Sequence, residues 1–406
     1  MRTLRVQFEN ERGQRLAGRL EMPGCAPRAF AIFAHCFTCD KTSRAAVDVS
    51  RTLAGRGIAV LRFDFTGLGE SEGEFPRTGF ATNVRDVVAA ARFLEKERGA
   101  APSLLVGHSF GGAAAIGAAP ELEAVRAVAT IAAPSDPVEV VRHIPEEARE
   151  RIEREGAAPV KIGGRPFLVG RELVAGLEKG AFARVLGGLG RALLVLHAPG
   201  DEIVPVEAAR RIFEAARHPK SFVSLDDADH LLRKPEHGRH AGEIIAAWAS
   251  RYLPPRAAEA TEGEAPRAVR AGTGDIGWQT PICVGSHAFD ADEPRGLGGA
   301  DTGPTPYELL AAALGACTSM TVRMYARRKG WPLEDIEVRL RHDKVHARDC
   351  AECETKEGKV DRVDREIRLV GPLDDEQRRR LLEIADRCPV HRTLTTEVAI
   401  RTTPAE

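Results

Sequence analysis

Ser103-Leu104-Leu105-Val106-Gly107-His108-Ser109-Phe110-Gly111, running on into Gly112-Ala113-Ala114-Ala115-Ile116, decides the fold of the first half of this 406-residue chain. A short apolar run leads to a serine between glycines and then at once to an Ala-rich stretch, which is the order strand, sharp turn, helix. The segment fits G-x-S-x-G, and the setting says more than the motif. Glycines at both flanks let the chain reverse without Cβ clashes, so the Ser109 hydroxyl is held at the top of the sheet and at a helix N-terminus.

Outward from this turn, short aliphatic and β-branched runs alternate with amphipathic stretches. Candidate strands are 15–21, 29–35, 58–64, 103–108, 125–132, 192–198 and 221–226, and candidate helices are 43–55, 79–98, 110–118, 206–217 and 241–251. Alternation of this kind predicts an α/β fold, a doubly wound and mostly parallel sheet. The pattern breaks over about 134–190, where charged helix-like sequence over 138–156 meets the Gly- and Pro-bearing stretch 161–170, so a small cap is expected there. Residues 1–252 form the first domain on this reading. Residues 253–266 carry Pro-Pro followed by Ala, Glu, Thr and Gly, with little to bury, and read as a linker. Residues 267–406 form a second domain of α+β order. It shows strand-like pieces near 268–270, 276–284 and 286–289, a long helix from Pro306 to Lys329, strands near 336–342 and 365–370, a helix over 374–387 and a closing strand over 395–402.

Charge narrows the function classes. Lys and Arg number 58 against 59 Asp and Glu, a net charge of -1 that gives no general attraction to nucleic acid or an anionic membrane. Met1 to Asn10 is charged and alternating, unlike a secretory leader, and no apolar run approaches a membrane span, so a cytoplasmic protein is expected. The eight cysteines are too thinly spread for a disulfide framework and read as buried, catalytic or metal-binding thiols.

A serine hydroxyl is a poor nucleophile at neutral pH and needs a base, itself oriented by an acid, in the chain order Ser, acid, His. Asp201 follows the apolar run 192–198, and His230 follows the run 221–226, with His237 and His240 close behind. Read singly, Asp201 is a helix cap ahead of Val206 and His230 a loop histidine, but the ordered trio Ser109, Asp201 and His230 points to acyl-transfer chemistry. Asp136 is the fallback acid. Oxyanion stabilisation needs backbone N–H donors, for which Phe110, next to the serine, and Phe37, in His35-Cys36-Phe37-Thr38-Cys39, are the candidates. The stretch Asp64-Phe65-Thr66-Gly67-Leu68-Gly69-Glu70-Ser71 reads as turn chemistry alone.

With these residues in place, the first 250 or so residues resemble the α/β-hydrolase family, in particular small-capped esterases with an H-G-F-T-G oxyanion loop. The resemblance implies a carboxylesterase for small-molecule esters, with amide or peptide hydrolysis as the alternative that the same trio would serve. Both loop glycines are cysteines here, Cys36 and Cys39, which questions the loop's backbone angles and sets a C-x-x-C beside the oxyanion hole. Two reduced thiols packed near the site are expected ahead of a functional disulfide or redox pair. Oxidation of the pair is then expected to distort the loop and lower activity.

In the second domain, Pro306-Tyr307-Glu308-Leu309-Leu310 leads through an Ala-rich helix to Cys317, and Cys388-Pro389-Val390 lies far downstream. Glu308 and Cys317 are about two and a half turns apart and so do not share a face. A cysteine in such a helix is usually a small apolar residue. The pattern P-x-E-L-L-x-A-x-L-G-x-C followed by C-P-V is similar to the OsmC and organic hydroperoxide resistance family over about 267–406. That resemblance implies an intertwined homodimer in which Cys317 attacks a peroxide and Cys388 resolves the sulfenic acid, with a dithiol as reductant. It also implies that Glu308 positions an arginine, for which Arg295 in the Gly-rich loop is the candidate. A dimerisation or ligand-binding module with inert cysteines is the other reading. His342, His346, Cys350 and Cys353 leave zinc, a Cys350–Cys353 disulfide and solvated loop residues all open, and no metal or cofactor is assigned.

Overall fold

The computed structural model describes residues 2–139, 144–162, 165–174, 180–254, 277–284, 287–346 and 357–404. All but the first two residues of the expected linker, the strand-like piece near 268–270, and Cys350 and Cys353 lie outside the described residues. The chain divides into two compact units, one reaching Ile276 and taking in Thr280–Phe289, the other made of Gly277–Gln279 and Asp290–Glu406.

The first unit opens with the antiparallel pair β1 (Arg2–Glu9) and β2 (Arg15–Met22), followed by β3 (Ala29–Ala34), α1 (Arg44–Gly55), β4 (Ile58–Phe63), α2 (Phe80–Arg98), β5 (Leu104–His108), α3 (Phe110–Ala118) and β6 (Ala127–Ile131). The cap follows as α4 (Glu146–Glu155), the antiparallel pair β7 (Ala157–Ile162) and β8 (Arg165–Gly170), α5 (Arg171–Val174) and α6 (Ala181–Gly187). The sheet then resumes with β9 (Ala192–His197), α7 (Glu207–Ala215), β10 (Lys220–Ser224) and α8 (Pro235–Ala249). The eight strands lie in the order β1-β2-β4-β3-β5-β6-β9-β10, parallel from β4 to β10.

Every residue of β3, β4, β5, β6 and β9 is buried, which is why these runs are continuously apolar rather than alternating: helices cover both faces. Along β3, Phe30, Ile32 and Ala34 join the core under α2 and α3, while Ala29, Ala31 and Phe33 join the core under α1 and α8. Truncating one such leucine, Leu105 for example, to alanine would destabilise by about 2–5 kcal/mol. The cap is an insertion in the crossover between neighbouring β6 and β9. Its underside, with Ile144, Ile152, Val160, Val169 and Leu173, closes over Phe37 and Phe110.

The next pair of strands is β11 (Thr280–Val284) and β12 (His287–Ala291). In the second unit α9 (Pro306–Lys329) starts at a capping box, with the Thr305 hydroxyl accepting from the Glu308 N–H and the Glu308 carboxylate accepting from the Thr305 N–H. It stops at Gly330, whose φ of 66° ends the helix in the left-handed region. The long antiparallel ribbon of β13 (Asp335–His346) and β14 (Lys359–Val370) follows, then α10 (Asp375–Ala385) and α11 (Pro389–Leu394). Val322 and Ala326 of α9 meet Ile336, Leu381 and Ala385 in a small core. The closing strand expected over 395–402 is not formed: these residues are coil and exposed, because among the described residues no neighbouring strand pairs with them. The 24-residue α9 also corrects the reading that no run approaches a membrane span, since by length and composition it could cross one, and a window of it has mean hydropathy 1.2.

Candidate active site

The turn between β5 and α3 holds Ser109 at φ 53°, a left-handed conformation worth about 1–3 kcal/mol of strain in a residue with a side chain. Close approach keeps it there. A Cβ on Gly107 would lie 2.3 Å from the Gly111 carbonyl oxygen, and one on Gly111 would lie 2.3 Å from the carbonyl oxygens of both Ala34 and His35. The Ser109 N–H donates to the Ile131 carbonyl at 2.7 Å, fixing the turn to the neighbouring strand.

His230 reaches this serine from the loop between β10 and α8. Its Nε2 stands 3.0 Å from Ser109 Oγ, and its Nδ1 stands 2.8 Å from Asp201 Oδ2. Asp201 comes from the loop after β9, and its other oxygen accepts the N–H groups of Ile203 and Val204, each at 2.9 Å. Burial pushes the Asp201 carboxyl up, but the hydrogen bond and charge of His230 and the two N–H bonds outweigh it and hold the carboxyl below its ordinary range. The three residues chosen from the sequence therefore meet in one place. Asp136 does not join them. Its carboxylate accepts the N–H groups of Val138 and Gly180, tying the two ends of the cap.

His108 was not singled out from the sequence. It is fully buried, and its Nε2–H donates to the His230 main-chain carbonyl at 2.7 Å. Burial, with help from His230, pushes it down to about 3, so it is a neutral donor that holds the His230 backbone. The dipeptide Gly-His before the serine was the available signal.

Phe110 begins α3, so its N–H is one of the donors a helix start leaves without an intrahelical partner. Phe37 follows β3, and the two rings meet edge to face at 5.3 Å, bringing both loops to one side of Ser109. The loop carrying Phe37 is anchored at both ends. At its start the His35 Nδ1–H donates to the Cys36 carbonyl at 2.7 Å, while Nε2 accepts the Phe65 N–H at 3.3 Å. At its end the buried Lys41 gives Asp64 two bonds, from its N–H at 2.6 Å and its Nζ at 2.5 Å, and the Arg62 guanidinium donates to the Lys41 carbonyl. Asp64 also accepts the Glu70 N–H, so the Asp64 to Ser71 stretch is more than a turn: it anchors the candidate oxyanion loop.

Cys36 and Cys39 depart from expectation. Their sulfurs are bonded, their Cα atoms are 5.2 Å apart, and the Cys39 N–H donates to the Cys36 carbonyl at 3.1 Å. Among the described residues neither has a positive φ, so the loop needs no glycine at these places. The closed pair stands beside the joined Ser109, His230 and Asp201. Cys25 and Cys283 are bonded as well, with Cα atoms 5.8 Å apart.

A cavity of about 970 Å³ opens beside Ser109, and Cys36, Phe37 and Phe110 line it together with His230. Ile144 and Leu173 line it from the cap, and Ile203 and Leu231 from the sheet-end loops. The volume lies at the upper end of small-molecule sites.

In the second unit the sulfurs of Cys317 and Cys388 are free and gather where α9 meets α11. Cys317 Sγ accepts the Val390 N–H at 3.5 Å, and the fully buried Cys388 Sγ accepts the His391 N–H at 3.3 Å. Thr318 Oγ1 lies 3.7 Å from Cys388 Sγ and accepts from Arg365, a cation the sequence did not point to. Glu308 is occupied in capping α9, and among the described residues it forms no ion pair with the exposed Arg295. His342 bonds Asp361 at 2.8 Å and stacks on Tyr307. Among the described residues no group of three or more His, Cys, Asp or Glu is placed to hold a metal ion.

This geometry, a serine on a strand-to-helix turn of a mostly parallel sheet, is that of an α/β-hydrolase. A family profile described as serine aminopeptidase, S33, matches residues 26–152, and one described as OsmC-like protein matches residues 298–403. The esterase domain of a Rhodothermus marinus protein is 46% identical, with 62% of this chain and 99% of that chain covered at a TM-score of 0.52. Est1E of Butyrivibrio proteoclasticus, solved with ferulic acid, shares the fold at 21% identity and TM-score 0.52, over 61% of this chain and 98% of its own. Human monoglyceride lipase is 34% identical over 108 residues, which are 26% of this chain and 35% of the lipase. The first unit thus belongs to the α/β-hydrolase family, and an OsmC-like domain follows it in the chain.

Proposed function

We propose that the first unit is a serine carboxylesterase for short- to medium-chain acyl esters. The observation that carries the reading is the unbroken hydrogen-bonded line from Ser109 through His230 to Asp201 in the wall of an apolar-sided cavity. His230 Nε2 takes the Ser109 proton as Oγ attacks the ester carbonyl, and the N–H groups of Phe110 and Phe37 stabilise the oxyanion. The imidazolium then protonates the departing alcohol. Water, deprotonated by His230, releases the acid from the acyl-enzyme. Asp201 keeps the imidazole proton on Nδ1 and offsets its charge when Nε2 is protonated. Ser109→Ala should abolish hydrolysis of short-chain aryl esters, and retained turnover refutes the assignment. Amide or peptide hydrolysis is the second reading, favoured by the S33 aminopeptidase match, and matched anilide and ester substrates separate the two.

For the second unit the reading is a thiol peroxidase acting as a homodimer. The Cys317 thiolate attacks the distal peroxide oxygen, releasing an alcohol and leaving a sulfenic acid. The Cys388 thiol condenses with it to a disulfide and water, and a dithiol restores both thiols. That both free sulfurs accept from neighbouring N–H groups at the start of α11 supports the chemistry. For the dimer the support is an uncovered apolar surface on α9, where Met320 is 62% and Met324 72% exposed. A dimerising module with inert cysteines is the rival, and it is sustained if Cys317→Ser leaves hydroperoxide consumption unchanged.

A further inference from the structure

We propose that Cys36 and Cys39 form a redox site that takes a dithiol as its reactant, and that the closed disulfide is the form competent for hydrolysis. The proposal rests on the Ser109 reading above and adds regulation to it. The placement of the pair is specific. Only Phe37 and Thr38 lie between the cysteines, and Phe37 carries the proposed second oxyanion donor. The loop is pinned before the pair by His35 and after it by the buried Lys41–Asp64 pair, which leaves 36–40 as its adjustable part. Within that part the S–S bond and the Cys39 N–H to Cys36 carbonyl bond close a small ring around Phe37 and Thr38. Glycines are not needed to shape this loop, because the ring shapes it instead.

The two sulfurs also differ in access. Cys36 is 4% exposed and lines the cavity with Ser109, whereas Cys39 is partly exposed. A protein-sized or tethered dithiol therefore attacks at Cys39. Its thiolate forms a bond to Cys39 Sγ, the Cys36–Cys39 bond breaks, and Cys36 Sγ leaves with the electron pair and takes a proton. The second thiol of the reductant then attacks the mixed disulfide, releasing Cys39 as a thiolate and the reductant as its own disulfide. Opening the ring frees the Phe37 N–H from its fixed aim, although the Phe37 ring still packs on Phe75 and Phe110. Loss of one oxyanion donor lowers kcat by about 10²–10³, so a loosened donor should lower it by about tenfold.

The test uses the full chain, poised from fully oxidised to fully reduced with dithiothreitol. The state of Cys36 and Cys39 is read by alkylation and peptide mapping. Activity is read twice, as p-nitrophenyl butyrate turnover and as the rate at which a fluorophosphonate labels Ser109. As the pair opens, kcat and labelling should fall together by about tenfold with KM changed less than about twofold. Cys36→Ser/Cys39→Ser should show the reduced-form rate with or without dithiothreitol. Cys25→Ser/Cys283→Ser should keep the drop, which excludes the other disulfide as its source. Equal rates in the two mapped states, or a double Cys36/Cys39 variant as fast as oxidised wild type, would overturn the proposal. Turnover and labelling that rise as the pair opens overturn it as well, whereas a protein that neither turns over ester nor labels at Ser109 in either state refutes instead the Ser109 reading.

Discussion

Asp201→Asn separates orientation of the imidazole from mere proximity. In the wild type Asp201 Oδ1 is held by two backbone N–H groups at 2.9 Å, leaving Oδ2 to face His230 Nδ1 at 2.8 Å. The asparagine oxygen is the only atom of its amide that can accept those two donors, so it takes the Oδ1 place and its NH2 faces His230. Two donors cannot share one bond. His230 must move its proton to Nε2, where it points at Ser109 and can no longer remove the hydroxyl proton. Loss of the working tautomer lowers kcat by about 10⁴, which is about 5.4 kcal/mol of transition-state stabilisation. Folding should be little affected, because the loop's N–H groups stay bonded. Asp201→Ala, by contrast, leaves the Ile203 and Val204 donors unpaired and should also destabilise by about 1–3 kcal/mol. Steady-state p-nitrophenyl butyrate kinetics with a urea melt decide the matter. A folded Asp201→Asn enzyme within tenfold of wild-type kcat would refute the reasoning.

Three further outcomes are expected. Gly111→Ala should destabilise by about 3 kcal/mol, because the new Cβ meets two backbone carbonyl oxygens at 2.3 Å, and an unshifted urea midpoint would count against the close approach. His108 binds a proton in the unfolded chain near 6.5 but only near 3 when folded, so its contribution is intact above pH 6.5 and is lost as pH falls from there. Between pH 7 and pH 5 it should account for about 2 kcal/mol of lost stability, and a His108→Gln variant with the same pH slope as wild type would contradict this. If the second unit reduces hydroperoxides, Cys317→Ser should lose cumene hydroperoxide consumption in the presence of a dithiol while p-nitrophenyl butyrate turnover stays within about twofold of wild type, about 0.4 kcal/mol.

What could be read early follows from locality. The nucleophile turn was legible because glycine spacing, the apolar strand before it and the Ala-rich helix after it are all neighbours in sequence. The same holds for α9, whose start at Pro306 and stop at Gly330 are set by adjacent residues. The cap was legible only as a break in the pattern. Its paired strands β7 and β8 depend on cross-strand contacts and on the apolar surface of Phe37 and Phe110 beneath them. The residues 395–402 look like a strand by composition and are not one, since a strand exists only where another edge accepts it.

The sequence by itself determined the order of elements, the turn that exposes Ser109 and the identity of the Asp201 and His230 candidates, because each rests on chain order and nearby residues. Tertiary structure alone decided what those residues touch. Ser109 and His230 are 121 positions apart in the chain, and their 3.0 Å approach requires the whole parallel sheet to set one loop beside the other. His108 holding the His230 carbonyl, Lys41 buried on Asp64, and Cys36 closed on Cys39 are matters of distance in space. Bonds of this kind leave no periodic mark in a sequence.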